Sequence, residues 1–168
     1  MIIENSVKGD IDTIFDLYEK ATNYQKEKSI APWPTFDRAM VQNELENNLQ
    51  FKIVIDNQMA CTWAIAFTDK QIWQEKDNGT SIYIHRIATN PNFKGRNLVE
   101  NIINWAKIYA NNNDKTHIRM DTVGENIGLI SHYTKCGFDF VGLSKLTNTE
   151  GLPAHYQNAT VSLFEIKL

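Results

Sequence analysis

The sequence predicts an α/β fold of the α+β kind, with one mixed central sheet of about seven strands and helices on both faces, in a single domain spanning residues 1–168. Three observations predict it. β-rich runs alternate with segments whose apolar residues recur at three- and four-residue spacing. Three consecutive strands precede the long helical segment over residues 97–111, which argues for a mixed layered sheet rather than a doubly wound one. The 168 residues, 42% apolar and 11% aromatic, supply one compact core and are too apolar for a disordered chain.

Each element has its own justification. Ile2-Ile3 is a short first strand. Gly9 and Asp10 lead into Ile11, Ile14, Phe15, Tyr18 and Ala21, an amphipathic helix. Pro32-Trp33-Pro34 breaks the chain, and Thr35 with Asp37 opens a second helix through Met40, Val41 and Leu45. Residues 51–55 and 59–67 are strands joined by Asp56-Asn57-Gln58, a hairpin. Residues 70–80 are a largely polar stretch with Trp73 inside it and are expected to be a loop. Residues 81–89 form a fourth strand, stopped by Asn90-Pro91. Leu98, Ile102, Trp105, Ala106 and Tyr109 then mark a long helix over residues 97–111. A strand at 116–123, a short helix at 126–136 closed by Gly137, and strands at 138–143 and 160–168 complete the set. The chain has no repeat and no Pro/Gly/Ser-rich linker.

Composition excludes several functions. With 17 Lys+Arg against 20 Asp+Glu, a formal charge of −3 and a pI near 5.8, the chain lacks the basic surplus of a nucleic-acid binder that works by counterion release. Residues 59–67, the longest apolar stretch, fall far short of the roughly 20 residues that cross a bilayer. No membrane span is expected. The N-terminus lacks the basic and apolar regions of a signal peptide, so a cytoplasmic location is expected. Cys61 and Cys136 stand far apart, outside any CxxC pattern, and read as two buried reduced thiols. P-loop, GxGxxG, HExxH and GxSxG motifs are all missing, and His85, His117, His132 and His155 are dispersed, so no metal site is expected.

One segment does carry chemistry. The fourth strand feeds Pro91-Asn92-Phe93-Lys94-Gly95-Arg96-Asn97 directly into a helix. Free backbone N–H groups and the helix dipole at such a turn, with Lys94 and Arg96 adding charge, make an anion site.

Ile84-His85-Arg86-Ile87-Ala88-Thr89-Asn90-Pro91, then Phe93-Lys94-Gly95-Arg96 and the long helix, and later Asn126 with Tyr133-Thr134-Lys135-Cys136-Gly137-Phe138, resemble the GCN5-related N-acetyltransferase (GNAT) superfamily. Both motif regions occur in order, and the element order fits that fold over essentially the whole chain. The second motif is the more specific: an Asn, then a Tyr seven residues on along the same short helix, then Gly-Phe opening a strand.

The resemblance implies acetyl-CoA as donor, with no metal, and a primary amine as acceptor: a small molecule, a protein N-terminus or a lysine. The amine would attack directly in a ternary complex. It further implies that the main chain of Ile87, Ala88 and Thr89 pairs with the pantetheine arm, and that Lys94, Gly95, Arg96, Asn97, Leu98 and Val99 hold the pyrophosphate. By the same resemblance Asn126 contacts the cofactor and Tyr133 protonates the leaving thiolate, a role that suits a phenol with a pKa near 10. The backbone N–H of Thr89 is a candidate oxyanion donor.

The turn departs from the family's basic-Gly-x-Gly-x-Gly/Ala pattern at Asn97 and Val99. Asn97 can adopt the left-handed conformation or cap the helix. Val99 has a branched side chain that would crowd a phosphate. The general base is not fixed by the motif. His85 is the first candidate, because an imidazole near pKa 6.5 suits taking a proton from an ammonium; Asp121 and Glu125 are alternatives. Trp33, Phe36 and Trp73 fall near the acceptor cleft by resemblance, Tyr83 shares a strand face with His85, and Asp121 ends the fifth strand. Acidic residues near these aromatics, Asp37, Glu44, Glu75 and Asp77, would suit a cationic amine. The competing reading is a non-catalytic acyl-CoA-binding or regulatory module on the same fold. Sheet edges near the C-terminus leave a homodimer open.

Overall fold

A computed structural model describes residues 1–28 and 30–168. Its strands form one seven-stranded mixed sheet in the order β1-β2-β3-β4-β5-β7-β6. The chain divides into two compact units, residues 1–65 with 85–99, and residues 66–84 with 100–168.

The first unit contains β1 (Ile2–Asn5), α1 (Ile11–Glu27), α2 (Arg38–Glu46), β2 (Gln50–Ile55) and most of β3 (Gln58–Ala66). Asp37 caps α2, its carboxylate accepting the Ala39 N–H at 2.9 Å. The β2–β3 hairpin turns through Asp56 and Asn57, both left-handed at φ 50° and 59°, the pairing that matches a type I′ turn to the twist of its strands. β1 pairs antiparallel with β2, and β2 with β3. Ile14, Leu17, Tyr18, Phe36, Val41, Leu45, Met59 and Ala88 form this unit's helix-facing core.

The second unit contains α3 (Lys70–Trp73), β5 (His117–Val123), α5 (Ile127–Lys135), β6 (Asp139–Lys145) and β7 (Thr160–Lys167). β4 (Ser81–Thr89) and α4 (Leu98–Asn112) contribute to both units. β5 runs antiparallel to β7 from His117↔Lys167 to Val123↔Val161, and β6 runs antiparallel to β7 with a bulge between Phe140 and Gly142. The parallel ladder of β4 with β5 is short: it is described at Ser81, Ile82 and Tyr83, and the rest of β4 continues beyond it.

Most elements lie where the sequence puts them, with two corrections. The expected polar loop at residues 70–80 instead begins with α3 and a 3₁₀ turn at Gln74–Lys76. Ile72 and Trp73, each 2% exposed, pack with Tyr83, Leu146, Val161 and Leu163. Two adjacent apolar side chains in a polar stretch are enough to fold it onto the sheet. Of the expected pair of buried thiols, only Cys61 is buried; Cys136 is partly exposed. Among the described residues, no helix is long and apolar enough to cross a membrane.

Candidate active site

The turn after β4 is built by local hydrogen bonding. The Asn90 side chain accepts the Asn92 N–H at 3.1 Å and donates to the Met59 carbonyl at 3.1 Å, fixing where the strand ends. A 3₁₀ turn, Pro91–Phe93, buries Phe93 as an anchor. Gly95 then adopts φ 81° and Asn97 φ 53°, so Asn97 takes the left-handed conformation open to it. Leu98 is buried and opens α4. Between these anchors, Lys94, Gly95, Arg96 and Asn97 stay exposed. The Lys94 ammonium sits 4.7 Å from the Tyr24 ring centroid, and the Arg96 guanidinium 5.4 Å from that of Phe93. Both cations are positioned by aromatic faces and neither forms an ion pair among the described residues. Val99 is half-buried.

Upstream on β4, Ala88 is fully buried, and the Thr89 hydroxyl lies 3.6 Å from Cys61 Sγ. Within the strand Arg86 adopts φ 52°, an unusual value for a side chain of this size. Its guanidinium enters the first unit's core and donates to both Glu44 carboxylate oxygens at 2.5 Å and to the Tyr18 hydroxyl at 3.3 Å. Gln50 donates to the same hydroxyl at 3.3 Å and to Thr62 at 2.7 Å. Phe36 lies 5.4 Å under the guanidinium, and Trp33 meets Tyr18 and Phe36 edge-on. Burial opposes the Arg86 charge, but Tyr18 and Glu44 outweigh it and raise its pKa further. Burial, reinforced by the Arg86 charge, pushes the His85 imidazole down to about 3, so at neutral pH it is uncharged and a far weaker base than a free histidine.

This arrangement alters the expected acceptor residues. Phe36 is 6% exposed, and Glu44 is committed to Arg86. In the second unit Trp73 is 2% exposed and Tyr83 fully buried, so neither offers open surface to an acceptor. Tyr83 donates to Asp77 at 2.8 Å. Arg119 stacks 4.7 Å from the Trp73 ring centroid and pairs with Glu165 at 2.7 Å. Trp33 alone of the three acceptor-side aromatics is half-exposed.

In the second unit Asn126 caps α5, its side-chain oxygen accepting the Leu129 N–H at 3.0 Å. Its carboxamide NH₂ is the end that remains for a ligand. Tyr133 lies in the last half of the same helix. Its ring is half-buried against Phe138 and Phe164, with centroids 6.2 and 5.3 Å away, and Phe138 N–H bonds back to the Tyr133 carbonyl at 3.1 Å. Gly137, at φ 103°, makes that reversal possible.

Asp121 accepts a hydrogen bond from Tyr156 at 3.0 Å, and burial pushes its carboxyl up to about 7. Asp69 was not singled out by the sequence. Burial pushes it up to about 8, and the charges of Asp121 and Asp77 add to the rise. Its position before α3 looks like a helix cap, yet its side chain makes no cap hydrogen bond. One carboxylate oxygen of Asp69 lies within 4.8 Å of one of Asp121.

Residues 12–138 match the Acetyltransferase (GNAT) family. The chain belongs to the GNAT family. It is 34% identical over 74 residues to the uncharacterized N-acetyltransferase YesJ of Bacillus subtilis, a match that spans 44% of this chain and 41% of that protein's length. A GNAT-family acetyltransferase structure from Listeria monocytogenes superposes with a TM-score of 0.78 at 21% identity, covering 99% of this chain and 94% of that one. The Salmonella typhimurium protein YncA, solved with its cofactor acetyl-CoA, superposes with a TM-score of 0.69 at 14% identity, covering 100% of this chain and 94% of that one. The seven-stranded sheet is that of the GNAT acetyltransferases.

Proposed function

We propose that this GNAT-family protein transfers the acetyl group of acetyl-CoA to a primary amine, on a small molecule or on a protein N-terminus or lysine. The observation that carries the reading is the exposed turn at Lys94, Gly95, Arg96 and Asn97. It presents two cations without an ion pair among the described residues, and left-handed backbone, at the start of a 15-residue helix. Those features fit a pyrophosphate: the N–H groups and the dipole face the anion while the ammonium and guanidinium neutralise it. Open space around the Gly95 Cβ position leaves room for a close approach.

Acetyl-CoA supplies an activated thioester. The main chain of Ile87, Ala88 and Thr89 would hold the pantetheine arm as an added strand, and Asn126 would contact the cofactor through its NH₂. Tyr133 would give its phenolic proton to the thiolate as the C–S bond breaks, and the Thr89 N–H would stabilise the oxyanion. The full cation count of the turn is available for this role.

Isothermal titration with acetyl-CoA and CoA tests the first half of the reading; absence of binding at high micromolar ligand rejects it. An amine panel with thiol-release detection tests the second. Val99→Gly is expected to lower the CoA dissociation constant by about threefold, because it clears the branched side chain from the phosphate turn. An equal or higher constant removes that account of the turn.

A further inference from the structure

One strained residue stands directly before the segment assigned to the cofactor. Of the non-glycine residues with positive φ among those described, six are Asn or Asp, the types that adopt it most readily. The other two are Gln74, at the junction of α3 with its 3₁₀ turn, and Arg86, which alone lies inside a strand. Left-handed backbone is disfavoured by about tenfold for a residue with a side chain, so its surroundings must hold Arg86 there.

Three elements of the first unit do so. The guanidinium donates to both carboxylate oxygens of Glu44 on α2 at 2.5 Å, and its Nε donates to the Tyr18 hydroxyl on α1 at 3.3 Å. Gln50 on β2, fully buried, steadies that hydroxyl and is itself anchored to Thr62 at 2.7 Å. Val41 and Leu45, buried on the same helix as Glu44, fix where its carboxylate sits. Four residues beyond Arg86 the strand is pinned again, where the Asn90 side chain donates to the Met59 carbonyl at 3.1 Å. The run Ile87-Ala88-Thr89 is therefore clamped at both ends. Inside an extended run a left-handed residue re-aims the peptide planes that follow it, so the φ of Arg86 sets which way the N–H and carbonyl groups of this run point.

We infer that the Arg86–Glu44 ion pair is a backbone latch for cofactor binding: it holds Arg86 left-handed and so fixes the hydrogen-bonding edge of residues 87–89 along which the pantetheine arm lies. The inference rests on the acetyl-transfer reading above and adds two residues to it. Arg86 and Glu44 are positioning residues. Their charges answer each other inside the unit, and they act on acetyl-CoA only through the main chain that follows Arg86. Without the latch most molecules would have to reorganise this run before binding, so its loss shows in the acetyl-CoA dissociation constant.

Substitutions at Arg86 separate conformation from charge. Arg86→Ala removes the guanidinium from a residue that still disfavours positive φ, and should raise the acetyl-CoA dissociation constant, read by calorimetry, by about tenfold. Arg86→Gly removes the same guanidinium from a residue at ease there, and should recover most of that loss, to within about threefold of wild type. An ion pair that merely stabilised the core would leave the two folded variants binding alike. The double variant Arg86→Met with Glu44→Leu refills the core with apolar side chains but has no latch, and should bind about tenfold more weakly than wild type. In nuclear Overhauser spectra of the ligand-free protein, residue 86 should give the strong intraresidue HN–Hα contact of a positive φ in wild type and lose it in Arg86→Ala. Equal affinities of the alanine and glycine variants, wild-type affinity in the double variant, or a retained contact in Arg86→Ala each overturns the latch. Should Arg86→Ala not fold, the double variant decides, by its affinity and by the same contact. If the wild type binds no acetyl-CoA, the acetyl-transfer reading falls and takes the cofactor role with it, while the Overhauser comparison still decides whether the ion pair holds the backbone.

Discussion

Tyr133→Phe is expected to lower kcat by about 10²-fold or more while leaving the acetyl-CoA dissociation constant within about twofold. The substitution removes one oxygen and keeps the ring, whose contacts with Phe138 and Phe164 set its position. The packing that holds α5 against the sheet therefore survives, and what is lost is the proton for the thiolate. A thiolate leaving unprotonated carries its full charge in the transition state, so the loss falls on turnover and not on ground-state binding. Steady-state kinetics with calorimetric binding separates the two, and unchanged turnover takes Tyr133 out of the acid role.

Glu44→Ala should be the most destabilising of the single substitutions considered, at about 3–5 kcal/mol, because it strips a buried cation of its bidentate partner. For a chain of this length that lowers the melting midpoint by about 10 °C. The side chains of Arg86 and Glu44 are only 12% and 16% exposed, so water offers the orphaned guanidinium little help. Tyr18 keeps one contact, at 3.3 Å, too weak to replace two short charge-assisted bonds. The double replacement Arg86→Met with Glu44→Leu should recover most of the loss, since the desolvation cost of both charges disappears with them. Thermal unfolding of the three variants checks this; a loss below about 1 kcal/mol for Glu44→Ala means the guanidinium finds another partner.

The two substitutions mark what a sequence can and cannot reveal. Both ends of β4, residues 81 and 89, are legible in the sequence because Asn90-Pro91 stops a run rich in strand-forming residues. Asn97 at φ 53° was open to inference, since asparagine is among the few residues at ease there. Tyr133 was reached through a motif that keeps its spacing on one short helix. By contrast α3 has four residues, too few for any apolar period to appear, and the burial of Trp73 is imposed by the sheet beneath it. The left-handed Arg86 inside a strand leaves no trace in composition, and with it the Glu44 partnership was invisible. The expectation for His85 assumed a solvated imidazole; burial and an adjacent guanidinium changed its basicity, and neither effect belongs to the residue type. Asp69 and Asp121 come from distant parts of the chain and become a pair only through folding.

The shortness of the β4–β5 ladder leaves a signature in amide exchange. Neighbouring residues of a strand point their N–H groups to opposite edges. The Asn90 N–H bonds to the Ala60 carbonyl at 2.9 Å, toward β3, so the alternation sends Ala88 the same way and turns Ile87 and Thr89 to the opposite edge. In the ligand-free protein the Ile87 and Thr89 amides should therefore trade hydrogen for deuterium well ahead of those of Ala88 and Asn90. A molecule that completes the sheet as an added strand would erase that odd–even contrast, so two amides report whether the edge is filled even when no acetyl group moves.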